Sequence, residues 1–176
     1  MFIFRIFLSL IFLSLFSTNL FAQNKVAYIN VDLILTESLP AKSMLSQLKL
    51  IEKTKIEKIN NDEIELKNEE KKILASKNII SNDEYNKNVN NFQKKVDLHI
   101  KLKDENIKNL KQNRNKEILR FLNLINPIIE NIMEENSIGI LIEKKNVFIA
   151  KSNYDITNIV IEQVNKNIKN FLIEQE

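Results

Sequence analysis

One glycine and two prolines punctuate a chain of 176 residues. Tight turns and helix stops are built largely from those two residue types, so a chain that nearly lacks them is confined to a few long elements. Pro40 stands early, Pro127 late and Gly139 shortly after it. The interval 41–126 contains no such breaker and is the natural place for long helices. Cysteine is absent as well, so no disulfide can compensate for a small core.

The first residues form a separate object. Arg5 is the only charged side chain before Lys25, and 6–16 is an apolar run broken only by Ser9 and Ser14. Leu20-Phe21-Ala22 then precedes Gln23. A charged start, an apolar stretch and a small residue at the break predict a signal peptide over 1–22, cleaved after Ala22. Gln23 stands where a lipoprotein would carry cysteine. An uncleaved anchor is the alternative, because the uncharged stretch 6–24 is close to the shortest that spans a bilayer. Export would place the chain where disulfides are permitted. With none possible, stability must come from packing and from association with other chains.

Lys25-Val26-Ala27-Tyr28-Ile29-Asn30 reads as a short strand rich in β-branched and aromatic residues. A helical pattern follows over 31–38, and Pro40 suits the first turn of the next helix. Within 41–77, Leu45, Leu48, Ile59, Leu66 and Ile73 are spaced by sums of three and four, but Glu52, Glu63 and Glu70 fill the intervening heptad positions. Such a seam is only half apolar. Residues 78–83 read as a polar tip, and Ser81 followed by Glu84 is a capping box that opens a second helix. That helix carries Tyr85, Val89, Phe92 and Val96, then steps by an extra residue to Ile100 and continues through Ile107, Leu110, Ile118, Phe121, Ile125, Ile128 and Ile132. The extra residue predicts a phase shift in the supercoil, with Lys103 and Arg114 interrupting the seam. Pro127 predicts a kink or a restart near Asn126.

Two long helices joined by a short polar tip make an antiparallel hairpin. Residues 41–77 alone would reach about 55 Å at 1.5 Å per residue, too thin and too long for a core, so the hairpin must be an arm. Past Asn136 the pattern changes. Residues 137–142 and 147–150 are two β-rich runs around a polar turn, read as a hairpin of strands. Asp155 then caps a last helix with Ile156, Ile159, Val160, Val164, Ile168 and Phe171 on one face. The expectation is an α+β fold, predominantly α, with a long helical hairpin inserted in a three-stranded β base that the last helix covers. Its parts are 23–39 (first part of the base), 40–136 (the arm) and 137–176 (the rest of the base). A sheet that small has open edges, which invite pairing between subunits. The residues expected at that boundary are Val26, Tyr28, Ile29, Ile138, Ile140, Ile142, Val147, Phe148 and Ile149.

The stretch 25–31, then Gly139-Ile140-Leu141-Ile142, Val147-Phe148-Ile149-Ala150 and Asp155-Ile156-Thr157, resembles in order the Skp (OmpH-like) family of periplasmic chaperones. The resemblance implies a homotrimer of jellyfish shape, with a shared β body and three helical arms around a cavity. It implies ATP-independent holding of unfolded outer-membrane β-barrel proteins and release toward the barrel-assembly machinery; anionic lipid or lipopolysaccharide is a further expected contact. A membrane-anchored stalk similar to the b subunit of rotary ATP synthases is the rival reading. It accounts for the first half but not for the β-rich runs.

No catalytic constellation stands out. The single His99 lies in the second arm helix without a partner cluster in sequence, and one glycine cannot build a P-loop or a Rossmann fingerprint. No enzyme, cofactor or metal is expected. Charge is more informative. Over 85–122, Lys87, Lys94, Lys95, Lys101, Lys103, Lys108, Lys111, Arg114, Lys116 and Arg120 face only Asp97, Asp104, Glu105 and Glu117. Residues 126–176 hold five cations and eight carboxylates. A basic arm on an acidic base would attract acidic clients or anionic surfaces, or would serve only solubility. Nucleic acid is not an expected partner for an exported chain.

Overall fold

The computed structural model describes residues 25–173. The signal-peptide expectation over 1–22 lies outside the described residues. Strand β1 (Lys25–Ile29) leads into α1 (Val31–Glu37), α2 (Leu39–Ser76) and α3 (Asn82–Glu135). Strand β2 (Ile138–Glu143), 3-10 turns at Lys144–Asn146 and Ser152–Tyr154, and α4 (Thr157–Asn167) complete the order.

Local chemistry sets most boundaries. Asn30 caps α1, its side chain accepting from Leu33 N at 3.1 Å. Pro40 occupies the first turn of α2, where no N–H is needed. Ser81 caps α3 by accepting from Glu84 N at 3.3 Å. The helix then continues through Pro127 without a break in its span, so the expected restart does not occur; only the carbonyl one turn earlier, on Asn123, loses its helical donor. At the far end of α3, Ser137 takes a left-handed φ of 54°. That reversal sends the chain from the arm into β2.

β1 and β2 pair in parallel, with Val26 beside Ile140 and Tyr28 beside Ile142, after an irregularity at Gly139. Parallel neighbours need a long crossover, and here the whole helical hairpin supplies it. The sheet has two strands, not the expected three. Residues 147–150 leave the sheet after the 3-10 turn and pair with nothing among the described residues. The 3-10 turn at Lys144–Asn146 replaces the tight turn a hairpin would need, and the outer edge of β2 stays open. On the side of β1 away from β2, Asp155 makes an isolated bridge to Tyr28, and Ile156 N donates to Tyr28 O at 3.1 Å.

The Asp155-Ile156-Thr157 triplet is a staple. Asp155 Oδ1 accepts from Thr157 N at 2.9 Å, while Thr157 Oγ1 accepts from Asn30 N at 2.8 Å. One carboxylate and one hydroxyl thereby fix the start of α4 to the end of β1. The Tyr28 phenol is held above its usual pKa, first by burial and then by the Asp155 carboxylate next to it. Inside this frame Ala27, Ile29, Ile34, Met44, Phe121, Ile125, Ile132, Ile138, Ile156, Val160 and Val164 form one core at the base. The sequence pattern extended α4 through Phe171, yet the helix ends at Asn167 and 168–173 carries on outside any helix.

Candidate functional site

The arm is the candidate site, because it projects beyond the core and is held along a single line. On α2 the inner positions are Ile59, Glu63, Leu66, Glu69 and Ile73. On α3 they are Tyr85, Asn88, Phe92, Val96, His99, Lys103, Asn106, Leu110 and Asn113. From Phe92 to Asn113 the α3 positions alternate steps of four and three. The expected phase change at Ile100 is therefore not made, and Ile100 and Ile107 turn outward at 52% and 51% exposure.

Glu63 explains why a polar seam holds its phase. Lys103 Nζ lies 2.6 Å from Glu63 Oε1, and His99 Nε2 lies 3.7 Å from the same oxygen. The hydrogen bond from Lys103 holds the Glu63 carboxyl below its usual pKa and the Lys103 ammonium above its own. Nearer the tip, Lys95 Nζ meets Glu69 Oε1 at 2.6 Å. Lys103 was read as an interruption of the seam, yet it is one of its links; Arg114 lies outside the seam and Asn113 faces in. His99 Nε2 is buried without a hydrogen-bond partner, because 3.7 Å is too long for one.

Between Ile51 and Ile59 every residue from 52 to 58 is exposed. A cleft of about 500 Å³ opens there, with Leu48, Ile51, Ile56, Ile59, Ile107 and Leu110 as apolar lining and Lys103, Lys111 and Arg114 among its cations. Below it lies the arm root. Glu117 is fully buried, and its Oε2 accepts from Arg120 Nε at 2.9 Å. The Arg120 guanidinium also lies 4.3 Å over the Phe171 ring, which meets Phe121 edge-on at 5.7 Å. The sequence reading missed this cluster as a unit. The available signal was Glu117 at a seam position, four residues before Phe121 and three before Arg120.

The predicted basic residues divide into two sets. Lys95, Lys103 and Arg120 are tied to carboxylates within the arm, and Lys101 lies 4.0 Å from Glu105 on its own helix. Lys87, Lys94, Lys108, Lys111 and Arg114 are exposed, with no ion pair among the described residues. Lys116 is exposed too.

The predicted boundary residues of the base divide as well. Ile29 and Ile138 belong to the chain's own core, while Tyr28, Ile142 and Val147 are half-buried. Val26, Ile140, Phe148 and Ile149 are exposed, Phe148 completely. Among the described residues no group of His, Cys, Asp and Glu could hold a metal ion. No helix among them is long and apolar enough to cross a membrane.

With that geometry in hand, the comparisons with known proteins are specific. A solved structure of an OmpH-like protein from Caulobacter crescentus CB15, a candidate outer membrane chaperone, superposes with a TM-score of 0.80 over 87% of this chain and 90% of that one. The two are 21% identical, so the likeness is one of fold. No curated protein matches by sequence. The model of the family described as outer membrane protein (OmpH-like) matches residues 25–164, from β1 into α4. This chain belongs to the OmpH-like family.

Proposed function

We propose that the protein is a periplasmic holding chaperone that keeps unfolded outer-membrane β-barrel proteins from aggregating, without nucleotide. The observation that carries the reading is an arm that exposes apolar and cationic side chains together. Ile56, Ile64, Leu98, Ile100, Leu102 and Ile107 are all more than two-fifths exposed, and unpaired lysines lie on the same helices. Unfolded barrel strands alternate apolar and polar residues and aggregate readily. Many weak contacts around such a strand give useful total affinity through effective concentration, yet each can break quickly. Release then needs no energy source.

Association into a homotrimer is part of this proposal. An isolated two-stranded sheet is marginal in water. Here its outer face carries Val26 and Ile140 side by side, and Phe148 and Ile149 stand uncovered on an unpaired segment. Strand edges from neighbouring copies would complete the sheet and place several arms around one space. Within the arm, the cleft's apolar lining and cations also suit an anionic lipid or lipopolysaccharide. Handing the client on to the barrel-assembly machinery is the matching last step.

The test is light scattering after a urea-unfolded β-barrel protein is diluted into buffer without nucleotide. Near-stoichiometric chaperone should suppress the signal. Undiminished scattering at tenfold excess of folded chaperone sinks the proposal. Native mass should read three chains.

A further inference from the structure

The segment 168–173 runs outside any helix, and its last three residues meet both arm helices. Phe171 and Ile173, two residues apart, are buried, while Leu172 between them is exposed. This is the period of a β-strand with one face inward. Three backbone groups of 171–173 are met by side chains from both helices. From α2, Gln47 Nε2 donates to Phe171 O at 2.8 Å, and Gln47 Oε1 accepts from Ile173 N at 3.2 Å. From α3, Arg120 donates to Leu172 O. A residue in a parallel strand offers its neighbour a like pair, one donor and one acceptor flanking a single residue. The side-chain amide of Gln47 thus stands in for a missing strand.

We infer that the arm root is a binding groove for extended peptides with apolar residues at alternate positions, and that 168–173 is its tethered occupant. Recognition by backbone hydrogen bonds plus pockets for alternate side chains is largely indifferent to the outward residue. An unfolded barrel strand presents the same features as the resident segment: an extended backbone and apolar side chains two apart. Arg120 is pre-set for the task, because the buried Glu117 carboxylate on the same helix holds its guanidinium. The segment also falls beyond the residues 25–164 that the family model matches. A tethered competitor acts at an effective concentration on the order of millimolar. It therefore sets how strongly a client strand must bind to enter. The inference rests on the holdase reading for the identity of that client, not for the existence of the groove.

The test uses three proteins: the full chain, a chain ending after Asn167, and the full chain with Phe171→Ser and Ile173→Ser. The probe is a fluorescein-labelled peptide of residues 167–173, followed by anisotropy, beside a control peptide that carries Phe171→Ser and Ile173→Ser. Both released proteins should bind the probe at least tenfold more tightly than the full chain. The control should bind at least tenfold more weakly than the probe, and Gln47→Ala in the released chain should weaken probe binding at least fivefold. A released protein that keeps wild-type helicity but binds no better than the full chain overturns the inference. Loss of helicity in both released proteins overturns it too, since the segment would then be core. Light scattering with the full chain separates the two readings. A full chain that fails to hold a β-barrel client, while the released forms bind the probe as expected, removes the holdase and leaves the groove.

Discussion

The base and the arm are built from the same few residue types, yet they are held together in different ways. At the base, six elements and the segment 168–173 converge on one apolar cluster, with Ile34, Met44, Phe121, Val160 and Val164 fully buried. In the arm beyond Leu48 and Phe121, Ile59 is the only buried apolar residue. The arm's remaining links are half-buried side chains and the ion pairs of Glu63 and Glu69. Apolar burial contributes roughly 25 cal/mol per Å² removed from water, whereas exposed ion pairs contribute little. The base therefore stores the stability and the arm spends none of it. An arm so loosely held can open locally while the base stays closed, which suits a surface that must adapt to many clients.

Core truncation gives the sharpest contrast. Phe121→Ala removes a fully buried ring that also supports Phe171. It should cost about 3–5 kcal/mol, seen as a large fall in the urea midpoint by circular dichroism. Leu66→Ala in the arm removes a half-buried side chain and should cost about 1 kcal/mol, less than a buried leucine would. Equal losses would mean that the arm is as tightly packed as the base.

Assembly should depend on the outer face of the base. Ile140 is 56% exposed in the single chain, so Ile140→Asp should leave the protomer's helicity intact. An aspartate buried in a subunit boundary without a partner costs several kcal/mol. Native mass should fall from the proposed three chains to one. A variant that keeps the wild-type mass moves the boundary elsewhere.

Charge reversal addresses the arm. Lys87, Lys94, Lys108 and Lys111 are exposed and lack ion pairs among the described residues, so changing them to Glu leaves the Glu63 and Glu69 links untouched. Exposed charges act over roughly 8 Å at physiological salt. Capture of an acidic unfolded client, followed by stopped flow, should slow at low salt, and added salt should bring the wild type toward the variant. Equal rates at low salt would leave these charges as a solubility feature.

Acid should also distinguish the regions. Glu63 has a folded pKa below its ordinary value, mainly because Lys103 donates to it. Its contribution is complete above the ordinary carboxylate range, near pH 4, and is lost as pH falls through the lowered folded value. Lys103 is shifted upward, so its contribution persists until pH exceeds the lysine range. The arm should therefore loosen first in acid, and Glu63→Gln should remove that acid step. Methyl NMR spectra of Ile59 and Ile73 against those of Ile34 and Ile125 would report it. Simultaneous loosening of all four would assign the transition to the base.

The sequence carried the fold to different depths in the two regions. Scarcity of Gly and Pro dictated the long helices, Ser81 marked the start of α3, and the Asp155 triplet announced α4. The third strand failed because β-propensity registers a surface that needs cover, not which chain covers it; Phe148 and Ile149 satisfy that pattern while fully or largely exposed. The seam failed at Ile100 because counting apolar residues cannot see that His99 and Lys103 face Glu63 across the hairpin. The root was illegible for a related reason. Gln47, Arg120 and Phe171 meet only after the chain has closed on itself, and nothing local in sequence couples them.

The smallest predicted effect lies where the two regions join. Ser137 holds a left-handed φ of 54° between α3 and β2, a conformation that costs a residue with a Cβ roughly 1–2 kcal/mol and glycine almost nothing. Its N–H donates to Glu134 O at 3.2 Å, and Asn136 N donates to Ile132 O at 3.2 Å, so the last carbonyls of α3 depend on this reversal. Ser137→Gly removes the steric cost but adds backbone freedom to the unfolded chain, which takes back part of the gain. The net should be a stabilisation of about 0.5–1 kcal/mol, read as a small rise in the base's unfolding midpoint. The arm should not respond, because its links lie beyond the junction. If Ile59 and Ile73 methyls gained protection together with the base, junction strain would be shared along α3, and the boundary between a stable base and a loose arm would lie further out than Leu48 and Phe121.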